Sequence, residues 1–153
     1  MNNRLFILLI LPAIILTSCQ APLPPPPITA AVNEDFILRP GQSAAIDSTD
    51  LTIQLIAISG DERCPLKIEC AMSGPVTLTI FIQKGDDEPA KFNLQTFTDN
   101  TGRAPEMSFE GIQDRVEYEG YVFRIKSVMP YPVDSMREIR DSDYRVSFVV
   151  TSE

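Results

Sequence analysis

The 153-residue chain contains neither histidine nor tryptophan. Without histidine it lacks the commonest general base at neutral pH and the commonest metal ligand. Neither a Ser-x-x-Lys nor a Gly-x-Ser-x-Gly element is present, so the usual nucleophile settings for acyl transfer are missing as well. Cations are few: 13 Lys and Arg stand against 21 Asp and Glu, a formal charge of −8. They are scattered singly among acids, whereas a phosphate backbone requires clustered Lys and Arg, which argues against a nucleic-acid partner. No long segment repeats apolar residues at i, i+3, i+4 and i+7, so a helical domain and the helical crossovers of a parallel α/β sheet have no sequence basis. Cysteine occurs three times, at Cys19, Cys64 and Cys70.

The first 18 residues read as an export signal. Arg4 provides a positive start, and Leu5 to Leu16 form an apolar run of twelve residues ended by Thr17-Ser18. The run is too short to span a bilayer, which takes about 20 apolar residues. Leu16-Thr17-Ser18-Cys19 resembles the lipobox of bacterial lipoproteins. The resemblance implies cleavage before Cys19 and lipidation of its thiol, with the chain anchored by its acyl groups. Gln20, in the place where aspartate retains such proteins at the inner membrane, implies the outer membrane, facing either the periplasm or the surface. Loss of Arg4 leaves 12 basic against 21 acidic residues, a mature charge of −9.

Residues 19–31 hold the lipidated cysteine and a linker. Five of the thirteen prolines fall between Gln20 and Ala30, and Pro24 to Pro27 predict an extended polyproline rod. At about 3.1 Å per residue such a spacer would lift the domain some 30 Å from the lipid.

Residues 32–153 are expected to form one β domain. Short runs rich in Ile, Val, Thr, Phe and Tyr alternate with turn residues. The clearest strand is Val76 to Ile82, in which Val76, Leu78, Ile80 and Ile82 share a face. Tyr144, Val146, Phe148 and Val150 make the last strand, and Phe36 to Leu38 the first. Pro40-Gly41 suits the centre of a type II turn. Both faces become apolar near Ile56 and Ile58, as in a strand central to a two-layer fold. Phe97 falls out of phase with Phe92 and Leu94, the mark of a bulge or strand end. The whole predicts an all-β fold, an antiparallel sandwich or small barrel of seven to eight strands.

Between two of these strands lies Asp61-Glu62-Arg63-Cys64-Pro65-Leu66-Lys67-Ile68-Glu69-Cys70, closing on Gly74-Pro75. With Cys19 lipidated, Cys64 and Cys70 are the free thiols of an exported chain, so a disulfide between them is the expectation. Two readings compete with it: a redox dithiol, which normally has two intervening residues where this pair has five, and zinc binding, which takes four ligands. Asp61 and Arg63 are placed to fix the loop by an exposed ion pair worth about 0 to 1 kcal/mol, with Pro65 and Gly74 as further loop-fixing residues. The pattern Asp61-x-Arg63-Cys64-Pro65, then Cys70 and Gly74, resembles a loop found in bacterial lipoproteins and exported proteins of unknown activity. Gly41-Gln42 and Pro130-Tyr131-Pro132 extend the resemblance through most of residues 36–150. Where that group has an aromatic residue after the second cysteine, this chain has Ala71-Met72.

Other candidate sites are weaker. Asp86-Asp87-Glu88 is acidic enough for calcium but lacks the spacing of an EF-hand loop, and reads as a solvated turn. Tyr118, Tyr121, Tyr131 and Tyr144 could line a ligand face or pack half-buried in strands. The functional expectation is an envelope lipoprotein whose non-catalytic β domain binds or scaffolds another envelope protein or a glycan, with no cofactor or metal. The alternative is a glycan hydrolase using two acids among Asp61, Glu62, Glu69 and Asp87, since glycosidases require only a carboxyl pair about 5 to 10 Å apart.

Overall fold

The computed structural model describes residues 23–134 and 139–152. The expected signal peptide and the expected lipidation of Cys19 lie outside the described residues. Two sheets face each other as an open sandwich, not a closed barrel. The first has the order β1-β3-β4-β5-β6 and the second β2-β9-β8-β7. The strands are β1 (Ile28–Ala30), β2 (Asp35–Leu38), β3 (Ser43–Ile46), β4 (Leu51–Asp61), β5 (Val76–Lys84), β6 (Ala90–Thr96), β7 (Arg115–Tyr118), β8 (Tyr121–Met129) and β9 (Arg145–Ser152). All pairings are antiparallel except β1 with β3.

Alternation in sequence becomes inside and outside in the fold. Val76, Leu78, Ile80 and Ile82 of β5 are fully buried, as are Val146, Phe148 and Val150 of β9. Each such side chain contributes about 1.5 to 3 kcal/mol relative to exposure. Phe36 stacks on Phe148 with ring centroids 6.1 Å apart within the second sheet. Phe92 of β6 meets Tyr118 of β7 edge-on at 6.0 Å, where the two sheets approach along one side.

The double-faced run in β4 has a local cause. Register slips between Leu55 and Ala57, so Ile56 is an extra residue with no partner opposite it. The slip reverses the phase, leaving Ala57 opposite outward Thr79 and Ile58 opposite inward Leu78. β4 lies between β3 and β5 within its sheet, as the apolar run predicts. β6 ends at Thr96, which accounts for the phase of Phe97.

One element was hidden in the proline-rich stretch. Ile28–Ala30 pairs with Ala44–Ile46, so the β fold starts before residue 32 and has nine strands among the described residues instead of seven or eight. The linker assigned to residues 19–31 is corrected at its end. Gln42 is buried, donates from Nε2 to the Pro26 carbonyl at 2.8 Å and accepts at Oε1 from the Arg39 amide at 3.1 Å. Pro24 and Pro25 pass so close to Gly41 that a Cβ there would touch both rings. Gly41 has φ +83°, as the type II turn requires, and the Gln42 amide closes that turn on the Arg39 carbonyl at 2.9 Å. Pro24 to Pro27 therefore line the domain instead of lifting it.

Strand directions define two ends. The turn after β3, the turn Gly85–Pro89 and the turn at Glu119-Gly120 lie at one end, bridged by the ion pair of Lys84 with Glu119 at 2.6 Å. At the other end lie the cysteine loop, residues 130–134, and the start of β9.

Candidate functional site

The loop end is organised by Arg63. Its side chain is fully buried, and its Nε and Nη2 donate to the two oxygens of Asp61 at 2.8 and 2.6 Å. Nη1 donates to the Val128 carbonyl at 2.8 Å, and Nη2 also to the Pro130 carbonyl at 2.9 Å. The planar guanidinium fork matches this arrangement where an ammonium would not. Tyr131 places its ring 4.9 Å from the guanidinium carbon and donates its hydroxyl to the Cys64 carbonyl at 3.0 Å. Tyr144 donates its hydroxyl to Asp61 at 2.9 Å. Arg63 follows β4, Val128 belongs to β8 and Tyr144 precedes β9, so one cation joins the two sheets.

This geometry corrects the expectation of an exposed Asp61–Arg63 pair. A buried, charge-assisted pair with its remaining donors satisfied is costly to break, because either partner alone is left uncompensated. Burial by itself would raise the Asp61 pKa, but the hydrogen bonds and charge of Arg63, helped by Tyr144, hold it below the usual aspartate value. Tyr144 moves the other way. Burial, then its bond to Asp61, raises its phenol above the ordinary value.

The disulfide joins Cys64 to Cys70 with their Cα atoms 5.9 Å apart. Pro65 starts a tight turn in which its carbonyl accepts the Ile68 amide at 3.1 Å. The Leu66 and Lys67 amides donate to the carbonyls of Pro132 and Val133 at 3.1 and 3.0 Å. Gly74 is required where the limbs of the loop meet: its amide donates to the Glu62 carbonyl at 2.8 Å, and a Cβ would stand 2.5 Å from that of Glu62. The loop is thus closed at its base by Gly74, crossed by the disulfide and docked on residues 132–133.

Beside the clamp is a cleft of about 370 Å³. Ile58, Pro65, Pro132 and Ile139 supply apolar walls, while Asp61, Asp141 and Tyr144 present polar groups. Ser59, the extra residue of a second register slip between Ile58 and Gly60, and Gly60 form part of its side. Asp141 begins a single 3-10 turn, Asp141–Asp143, directly before Tyr144. Neither Ile139 nor Asp141 was singled out in sequence, because both lie in a mixed-charge stretch without periodicity.

The other acids named in sequence are dispersed. Glu62 and Glu69 are exposed on the cysteine loop, and Asp87 is in the turn at the opposite end. The structure does not gather Asp61, Glu62, Glu69 and Asp87 into one site. Asp86, Asp87 and Glu88 are exposed, and among the described residues no group of three or more acids or cysteines is arranged to hold a metal ion. Tyr118 and Tyr121 face each other across the β7–β8 hairpin far from the clamp, so the four tyrosines do not form one ligand face.

A second ionic cluster fastens the loop between β6 and β7. Asp114 is buried and accepts from Arg115 at 3.1 Å and from Ser108 at 3.1 Å. Glu106 joins Arg124 at 3.0 Å and Lys126 at 2.9 Å. No protein family, curated protein or solved structure matches the chain.

Proposed function

We propose that this chain is a bacterial envelope lipoprotein, tethered to the outer membrane through Cys19, whose β sandwich binds another envelope component without catalysing a reaction. The binding surface is the cleft at the loop end. The observation that carries this reading is the state of Asp61: its two oxygens are taken by Arg63 and Tyr144. A carboxylate so held is a fixed anion and a poor proton donor. It serves as a preorganised polar floor beneath the apolar walls, and loops on a rigid scaffold are the usual setting for such recognition.

A glycan hydrolase is the second reading, favoured by the presence of both Asp61 and Asp141 in one cleft. Such an enzyme needs one carboxyl that is protonated near neutral pH. Asp61 is shifted the opposite way.

A photo-crosslinking residue placed at Ser59, on the cleft, and at Asp86, at the far end, tests the reading in cells. A discrete adduct is expected from Ser59 and none from Asp86. Equal labelling from both positions, or release of soluble sugars when the purified protein is incubated with peptidoglycan, contradicts it.

A further inference from the structure

The route by which the chain enters the fold sets the direction in which the segment before β1 leaves the sandwich. β1 runs parallel to β3, from the level of Ala44 toward the β3–β4 turn. Traced backward from Ile28, the proline segment therefore heads the other way, toward the loop end. The Gln42 bond to Pro26 and the approach of Pro24 and Pro25 to Gly41 hold it on that course. From Leu23 to Cys19 there remain four residues, which reach at most about 14 Å however they are arranged. The segment passes Gly41, level with Leu55 at mid-height of the sheet, on a course toward the loop end, and this course directs an anchor at Cys19 to that side.

That end is also where apolar side chains are exposed. Among the described residues nine large apolar side chains are exposed, and five of them, Leu66, Ile68, Met72, Met129 and Val133, lie on the cysteine loop, at the end of β8 or in residues 130–134. Met72 is 86% exposed. The disulfide, the Pro65 turn and the Pro132–Val133 contacts fix the backbone beneath Leu66 and Ile68, so these side chains are displayed by a rigid loop. Water-facing loops on monomers seldom present apolar groups so closely. Glu62 and Glu69 flank them and Lys67 stands among them, so charge does not recruit this end to an anionic surface.

We propose that the loop end is a membrane-contact surface: Leu66, Ile68 and Met72 enter the headgroup region of the bilayer to which Cys19 is anchored. The inference rests on lipidation of Cys19. The tether supplies the high local concentration of membrane, and shallow burial of apolar tips orients the domain. Lys67 reaches the phosphates while its stem stays among the apolar groups. The cleft of Asp61 and Tyr144 is thereby brought to the membrane surface, where the component it binds must also be.

The lack of tryptophan provides the test, because any tryptophan introduced is the sole one. Full-length protein carrying Met72→Trp, or Asp86→Trp at the far end, is purified in detergent and reconstituted into phosphatidylethanolamine and phosphatidylglycerol vesicles containing lipid brominated near the headgroup. The Met72→Trp emission is expected to shift to the blue and to be quenched relative to vesicles without bromine, as for an interfacial side chain, while Asp86→Trp is unchanged. Protein that floats with the vesicles and carries lipid on Cys19, yet shows equal emission at both positions, overturns the orientation and leaves the anchor standing. Protein with an unmodified Cys19 that does not float overturns the anchor and this inference with it.

Discussion

Arg63 and Asp61, two residues apart, share two parallel N–H···O bonds of 2.8 and 2.6 Å, with the Arg63 side chain fully buried. The same guanidinium bonds the carbonyls of Val128 and Pro130, so a local pair acts as a long-range fastener between sheets.

Arg63→Ala should therefore destabilise the domain by about 3 to 5 kcal/mol, the range for a buried ion pair that loses one partner. Urea unfolding with an unchanged m-value measures it. A loss below about 1 kcal/mol would place the pair in the class of surface salt bridges.

The lowered pKa of Asp61 gives a pH dependence of known sign. A folded-state value below 3.8 means that Asp61 stabilises the fold above the unfolded value, and that this contribution is lost as pH falls through the folded one. Asp61→Asn should be less stable than the parent at neutral pH, and the gap should narrow in acid. Asp114, lowered by Arg115 and Ser108 against burial, is common to both proteins and cancels in the comparison. Thermal midpoints measured from about pH 6 down to pH 2 test this; a constant gap contradicts it.

Removing the disulfide by Cys64→Ser with Cys70→Ser should cost about 2 kcal/mol through the entropy of a short loop. The β-type circular dichroism should persist, since the cores of β5 and β9 do not depend on the link. Complete unfolding would show a scaffold that depends on its cross-link.

Gly74→Ala should be harder to accommodate than its single methyl suggests. The new Cβ would meet the Cβ of Glu62 at 2.5 Å and its carbonyl oxygen at 2.8 Å. Relief requires the loop limbs to separate, at about 1 to 3 kcal/mol. Differential scanning calorimetry of the variant should register a lower midpoint; an unchanged one would mean that the limbs stand further apart.

Legibility in sequence followed the range of the interactions. β5 and β9 were readable because burial alternates with their own side chains, whereas the Ile56 and Ile58 run read as a central strand and its bulge is defined only by the register with β5. β1 was not, since Ile28-Thr29-Ala30 is three residues long, follows a proline run and is defined only by partners in β3. The importance of Asp61, Arg63 and Gly74 could be suspected from their place around the cysteines. The burial of Arg63 could not, because two of its acceptors are backbone carbonyls 65 and 67 residues onward, which leave no side-chain signature. Ile139 and Asp141 reach the cleft by the same kind of long-range placement.

Attachment through Cys19 is the premise of both the proposed function and the orientation at the membrane, and intact mass spectrometry of the protein extracted in detergent tests it directly. The expected mass is that of a chain that begins at Cys19, lacks residues 1–18 and carries a diacylglyceryl group, with Cys19→Ala accumulating as the full-length precursor. A mature chain of unmodified mass, released as a soluble protein, would contradict it.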